Sequence, residues 1–311
     1  MPNILFAARP ERWTQYERPL RNALVEAGLP GANLTTRADP AEVEYIIYAP
    51  NGPVSDFTPY TRLKAVLNLW AGVEDVVGNT TLTVPLARMV DYGLTEGMVD
   101  WVVAHTMRHH IGIDAHIHGQ DGVWRAGIVP PLARDRRVAI LGLGALGSAS
   151  ATALAGLNFQ VSGWSRSPKQ IDGIRTFHGP DGLQKILKSA EIVTLLLPDT
   201  PATEAVLNAD TFAMMPKGAV ILNPGRGALI DDTALLNALD TGRISHATLD
   251  TFRVEPLPET HPFWAHPKVT VTPHIASETR VESAAKVIID NIRRGETGAP
   301  FLHLVDRDLG Y

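Results

Sequence analysis

The chain has 311 residues, 45% hydrophobic and 20% charged, enough to bury one large core or two ordinary ones, and a formal net charge of −5. That balance supplies no overall basic field, so neither nucleic acid nor anionic lipid is an expected partner. There is no cysteine, which excludes a disulfide framework, thiolate metal sites and a cysteine nucleophile; no apolar run reaches the length of a membrane span, and a cytoplasmic location is expected.

Short β-branched and leucine-rich runs alternate with longer helical patterns, which predicts repeated βα units and parallel sheets. A first series reads NILFAA (3–8), VEYIIYA (43–49), KAVLNLW (64–70) and VPLARMV (84–90), with RPLRNALVEAG as an amphipathic helix between the first two. TEGMVDWVVAHTMRHHIGIDAHIHG then reads as one long helix. A second series follows: RVAILGLG (137–144), FQVSGWS (159–165), EIVTLLLP (191–198), AVILNPG (219–225), HATLDTF (246–252) and VTVTPH (269–274). Six strands complete a dinucleotide-binding sheet. TRVESAAKVIIDNIRRGE is the last helical pattern. One boundary is expected near residue 99 and a return crossing near 279, so residues 1–99 and 279–311 form a discontinuous first domain and 100–278 a second.

The sharpest local signal is Gly142-Leu143-Gly144-Ala145-Leu146-Gly147, directly after the strand RVAIL and opening the helical run LGSASATALAGL. In such a turn the first glycine permits the tight bend, the second lets backbone approach a pyrophosphate, and the third lets helix pack on strand. About twenty residues on, where an NAD site carries an acid for the ribose hydroxyls, the sequence is GWSRSPKQ, offering Ser165, Arg166, Ser167 and Lys169. Arginine presents a planar fork matched to phosphate and serine adds neutral donors, so the stretch favours NADPH, with NADH the weaker alternative. A solvated polar turn is the plainer reading of the same residues.

Three separated residues make a second constellation: Arg226 in LNPGRGALI, Glu255 in DTFRVEPLP and His274 in TVTPHIAS, each just past a predicted strand, at the sheet edge where open parallel sheets bind ligands. Reducing a 2-keto acid takes a cation for the carboxylate and carbonyl oxygen, a proton donor for the developing alkoxide, and a group that keeps the donor protonated near neutral pH. Arg, His and Glu suit those roles in turn. Singly, each has a structural reading too: a turn ion pair, a surface acid, a strand-end histidine.

From the N-terminal strand to the closing VDRDLGY, the chain resembles the D-2-hydroxyacid dehydrogenases, and within them the glyoxylate/hydroxypyruvate reductase A group. The resemblance is carried by LWAGVED, DYGLTEGM, ILGLGALGS, GWSRS, LLLPDTPAT, LNPGRGAL, LDTFRVEPLP and HPKVTVTPHIAS. It implies α/β architecture with two doubly wound parallel-sheet domains, a flavodoxin-like substrate domain and a Rossmann coenzyme domain, the active-site cleft lying between them. It also implies that Arg226 binds and polarises the keto acid, that His274 is the general acid with Glu255 as its partner, and that Asp250 lies by the nicotinamide carboxamide. Pro198 of LLLPDTPAT joins the cofactor residues Gly142, Gly144, Ala145, Leu146 and Gly147. The amides of Ala71 and Gly72 bind the substrate carboxylate by the same likeness; Trp70, one residue before them, is read as a substrate-pocket residue that closes the pocket, with packing of the indole into the core as the alternative. A homodimer built on the long helix after residue 95, and closure over small 2-keto acids such as glyoxylate and hydroxypyruvate, follow from the same likeness.

Two departures touch substrate size: where the close group tends to have glycine before A-G-V-D this chain has Trp70, and the acid that follows is Glu74. His105, His109, His110, His116 and His118 crowd the long helix and its end, but lack nearby carboxylate or thiolate partners, and no metal is expected. A dehydrogenase for larger 2-keto acids, and a nucleotide-sensing homologue that does no chemistry, stay open as alternatives.

Overall fold

The computed structural model describes the whole chain except Arg125, Gly127 and Ile128. The chain divides into two compact units, Met1–Leu94 with Glu278–Tyr311, and Thr95–Ser277.

In chain order the first unit runs β1 (Asn3–Ala7), α1 (Pro10–Glu26), β2 (Asn33–Thr35), β3 (Tyr45–Tyr48), β4 (Ala65–Asn68), α2 (Glu74–Val77) and β5 (Leu86–Ala87). Its sheet has the order β2-β1-β3-β4-β5 and every pairing is parallel. The predicted helix at 18–28 is the second half of α1. Pro10 starts the helix at a position that needs no N–H, and the chain stays helical through Pro19 because Tyr16, Leu20, Ala23 and Leu24 bury one stripe. The sequence reading missed β2, a three-residue edge strand with a single buried residue. Alternate strand residues face two cores, as a sheet covered on both sides requires: Ile4, Phe6, Tyr45 and Ile47 pack with Leu20 and Leu24, whereas Leu5, Ala7, Ile46 and Tyr48 pack with Val54, Phe57 and Val76.

The second unit holds most of α3 (Tyr92–Ile111), then α4 (Asp114–Ile117), β6 (Arg137–Leu141), α5 (Ala145–Gly156), β7 (Gln160–Ser165), β8 (Arg175–His178), α6 (Gly179–Leu187), β9 (Ile192–Leu195), α7 (Ala209–Met214), β10 (Ala219–Asn223), α8 (Asp232–Asp240), β11 (Ile244–Leu249) and β12 (Val269–Val271). The long helix expected over residues 95–119 breaks at Gly112, which takes φ +65° and ends the first piece. After β12 the chain returns to the first unit as α9 (Val281–Thr297), whose Ala285, Ile288, Ile289 and Ile292 join the core of α1.

The sheet of the second unit is parallel throughout, in the order β12-β11-β10-β9-β6-β7-β8. It has one strand more than the six expected, because β8 is a half-exposed edge strand, RTFH, without a continuous apolar run. The chain enters at β6, runs outward to β8, returns to β9 on the other side of β6 and runs outward again to β12. That reversal leaves a crevice at the carboxyl ends of β6 and β9, where doubly wound sheets bind ligands.

Candidate active site

The glycine turn lies at that reversal, and its three glycines do three different jobs. Gly142 has φ +105°, and a Cβ there would stand 2.3 Å from the Leu196 carbonyl oxygen. A Cβ on Gly147 would stand 1.7 Å from the Gly142 carbonyl oxygen, so only glycine lets α5 lie this close to the turn. At Gly144 a Cβ would meet nothing within 4 Å, so this glycine leaves room rather than fitting a tight place. Gly144 and Ala145 are exposed, Leu146 is half-buried, and among the described residues no side chain caps α5. The helix presents its N-terminal amides to an open space, the arrangement that holds a pyrophosphate.

Ser165 ends β7, buried, and donates from Oγ to the Ser167 carbonyl at 2.8 Å, tightening the bend that exposes Arg166 and Ser167. Lys169 reaches back so that Nζ donates to the Leu143 carbonyl at 2.5 Å, holding a cation against the glycine turn itself. Pro198 is half-buried beyond β9, and its carbonyl accepts from Thr203 Oγ1 at 2.6 Å. These residues together fit a dinucleotide whose adenosine end carries extra negative charge.

Arg226 follows β10. Gly225 and Gly227 on either side are compelled by close approach: a Cβ at Gly225 would lie 2.8 Å from the Leu195 carbonyl oxygen, and one at Gly227 would lie 2.0 Å from the carbonyl carbon of Phe252. The second contact presses the Arg226 loop onto the segment that leads to Glu255. Arg253 fastens the two: it donates to the carbonyls of Ile230 at 2.8 Å and Ala228 at 3.1 Å, and to Glu204 at 2.7 Å. From below, Asn223, 1% exposed at the end of β10, donates to the Arg226 carbonyl at 2.9 Å and accepts from the Gly225 amide at 3.2 Å. The arginine's Nη1 donates to the Gly225 carbonyl at 2.7 Å.

His274 Nδ1 lies 2.7 Å from Glu255 Oε2, and Glu255 Oε1 accepts from the Phe252 amide at 2.9 Å. Both side chains keep surface open to solvent. The bond to Glu255 holds the imidazole above its ordinary range, against burial and the positive charge of Arg226. Burial pushes the Glu255 carboxyl up, but the bonds from His274 and Phe252 and the nearby positive charges outweigh it and leave the group below the usual carboxylate range. The pair fixes the ring through Nδ1 and favours its charged form, with Nε2 on the opposite side of the imidazole.

The backbone at His274 is left-handed, φ +54°, uncommon for a residue with a side chain and found where surrounding structure compels it. Asp250 supplies the compulsion. It is wholly buried, with 0% of its surface exposed. Its Oδ1 accepts from Thr272 Oγ1 at 2.6 Å and the Ile275 amide at 3.0 Å, its Oδ2 from the Ala276 amide at 3.0 Å, and its carbonyl from the His274 amide at 2.8 Å. Asp250, expected to lie by the nicotinamide carboxamide, also braces both sides of the loop that carries the imidazole. Asn223, Gly225, Gly227, Arg253 and this use of Asp250 escaped the sequence reading. Their signal there is slight: a polar residue ending an apolar strand, and glycines flanking an arginine.

In the other unit, Trp70, Ala71 and Gly72 follow β4, all half-buried, the indole packing against the core beside α1 and α9.

A doubly wound sheet with this glycine turn, and an arginine with a Glu–His pair beyond its carboxyl ends, defines a dinucleotide-dependent oxidoreductase. The chain belongs to the D-isomer specific 2-hydroxyacid dehydrogenases: the model of that family's NAD binding domain matches residues 101–276. It is 36% identical over 299 residues to a glyoxylate/hydroxypyruvate reductase A of Yersinia enterocolitica, spanning 92% of this chain and 94% of that one. Among solved structures it resembles a D-isomer specific 2-hydroxyacid dehydrogenase of Xanthobacter autotrophicus Py2 in complex with NADPH and MES, with TM-score 0.93 and 38% identity, covering 100% of this chain and 99% of the other. It also resembles the NADPH-dependent glyoxylate/hydroxypyruvate reductase of Sinorhizobium meliloti in complex with NADP and sulfate, with TM-score 0.86 and 33% identity over 100% of both chains. The Yersinia and Sinorhizobium relatives bear the name of the group that the sequence motifs resemble.

Proposed function

We propose that this protein reduces small 2-keto acids with NADPH, glyoxylate to glycolate and hydroxypyruvate to D-glycerate, as a cytoplasmic homodimer. The observation that carries the reading is the 2.7 Å Glu255–His274 contact with the Arg226 charge beside it. Arg226 takes the carboxylate and the carbonyl oxygen and polarises the carbonyl. His274, kept protonated by Glu255, gives its proton to that oxygen as negative charge develops there. The amides of Ala71 and Gly72 hold the substrate carboxylate. When bound, NADPH supplies the hydride that reaches the carbonyl carbon. The sum is a new C–H and a new O–H bond, and the imidazole regains its proton from solvent.

Two features support the choice of NADPH. Arg166, Ser167 and Lys169 gather donors where an acid would repel a 2′-phosphate, and the Xanthobacter and Sinorhizobium relatives were solved with NADPH and NADP. Support for a dimer comes from apolar surface on and after α3: Ile111, Ile117, Val123, Trp124, Val129 and Leu132 are all exposed, and a second copy of this chain is the proposed cover.

The test is loss of NADPH absorbance with glyoxylate, hydroxypyruvate and phenylpyruvate offered in turn, each also with NADH. Turnover is expected with the two small acids and NADPH. Phenylpyruvate measures the size of keto acid the site accepts, and turnover greatest there points to a dehydrogenase of larger keto acids. NADPH binding without turnover on any 2-keto acid overturns the reading in favour of a nucleotide sensor.

A further inference from the structure

We infer that Asn68 is a positioning residue for the keto acid: its buried carboxamide sets the direction in which the backbone amides after β4 point. The inference rests on the function proposed above and supplies that reading with the device that makes the loop an anion holder.

Asn68 is the last residue of β4 and is 1% exposed. Its Nδ2 donates twice, to the Trp70 carbonyl at 3.0 Å and to the Gly72 carbonyl at 2.8 Å. Both acceptors are carbonyls, so the amide nitrogen must face them and the assignment of Nδ2 and Oδ1 is fixed by chemistry. A trans peptide unit is planar, with N–H and C=O on opposite sides. Tying down the Trp70 carbonyl therefore aims the Ala71 N–H, one of the two amides proposed to hold the carboxylate, away from Asn68, and tying down the Gly72 carbonyl aims the Val73 N–H away as well, so that the Gly72 amide lies between two fixed peptides. Two alternate peptides are thus fixed by one side chain, across a glycine whose own torsions would resist no other arrangement. The Met89 amide adds a second bond to the Trp70 carbonyl at 3.0 Å, and Thr279 Oγ1 holds the Leu69 carbonyl at 3.1 Å, so the stem of the loop is fixed as well. Among the described residues, nothing accepts from the amides of Ala71, Gly72 or Val73. Successive backbone donors left facing outward are the arrangement that captures a carboxylate.

Asn68 Oδ1 is buried and has no donor among the described residues, so the carboxamide acts on the loop through its two N–H bonds. Aspartate, of the same shape, would set an acceptor against two carbonyls.

The experiment compares the parent with Asn68→Asp, and with Asn68→Ser as an uncharged second variant. It reads KM and kcat for glyoxylate, the inhibition constant of oxalate as a carboxylate probe, the Kd of NADPH and the melting temperature. Because the amides hold the carboxylate in ground and transition states alike, KM is expected to rise about ten- to a hundredfold with kcat nearly kept, the range for losing a hydrogen bond to a charge. The oxalate constant should rise in parallel and the NADPH Kd should stay put. A folded variant with KM and oxalate inhibition unchanged beside an active parent overturns the inference alone. So does a loss of folding in both variants, which makes Asn68 a residue of the fold. A parent inactive on every 2-keto acid overturns the proposed function, and this inference with it.

Discussion

The turn at Gly142–Gly147 and the loop at Thr272–Ala276 each follow a strand of the same sheet, yet they are built by opposite means. The first is made of backbone. Its six consecutive residues carry no charge, and two of the glycines are required because another atom stands where a Cβ would be. The second is made of side chains drawn from four places in the chain: Arg226, Asp250, Glu255 and His274, held by charge and by hydrogen bonds. A backbone site ties function to the fold, so altering it disturbs both. A side-chain site can lose its chemistry and keep its shape.

The largest effect should therefore fall on rate with the fold untouched. His274→Asn keeps a residue that tolerates the left-handed backbone, at φ +54° in the parent, and removes the imidazole. A general acid contributes about 10²- to 10⁴-fold, so kcat for glyoxylate should fall by that factor. Melting temperature and NADPH affinity should stay close to the parent's. A fall in melting temperature as large as that of a core mutant would mean that the imidazole holds the loop and that the contrast is misdrawn.

The glycine turn should respond in the opposite manner, and its glycines should differ among themselves. Gly147→Ala puts a Cβ 1.7 Å from the Gly142 carbonyl oxygen and forces backbone to move, a disturbance of about 1 to 3 kcal/mol. It should lower the melting temperature by several degrees and weaken NADPH together. Gly144→Ala meets nothing within 4 Å and should leave the melting temperature alone while still obstructing the nucleotide. Calorimetry of both variants with and without NADPH checks the pair; equal destabilisation by the two would sink the division of labour.

The same difference explains how much was legible in the sequence. The glycine turn was readable because its parts are contiguous and its meaning is local. The strands with continuous apolar runs were readable for the same reason, whereas β2 and β8 are short edge strands with little buried surface, and Gly112 interrupts a helical pattern whose periodicity runs on past it. The loop assembly was only partly legible. Residue types and strand-end positions marked out Arg226, Glu255 and His274, but nothing in a linear string says that Arg253 reaches the carbonyls of Ala228 and Ile230, or that Asp250 is sealed from solvent beneath the His274 loop. Those facts depend on carbonyl directions and burial, which exist only once the sheet has formed.

Arg166 belongs to the side-chain means applied beside the backbone site, and so should separate affinity from fold within one ligand. Arg166→Ala should cost NADPH about 1.5 to 3 kcal/mol, roughly ten- to a hundredfold in Kd, with NADH nearly unaffected and the melting temperature kept. Equal losses for the two nucleotides would show that Arg166 serves the turn in general and has no part in choosing the 2′-phosphate.

The smallest expected change is a displacement along the pH axis. Glu255 is the first cause of the raised pKa of His274, and the pair lies 2.7 Å apart. Reduction needs the protonated imidazole, so the parent's rate should fall as pH rises through that raised pKa. In Glu255→Gln the fall should come at lower pH, with the plateau on the acid side kept if the imidazole still reaches its position. Stability carries the same sign. A histidine with a raised folded pKa contributes stability that is fully present below its unfolded pKa near 6.5 and lost as pH rises through the folded value. Glu255, with its pKa lowered, contributes stability present above about 4.5 and lost as pH falls through its own folded value. Both groups keep contact with solvent, so the stability difference between parent and variant should be slight between those limits, while the kinetic displacement stays measurable. A rate profile for Glu255→Gln that overlays the parent's across the whole range would remove Glu255 from the proton transfer and leave it as a support for the Phe252 amide.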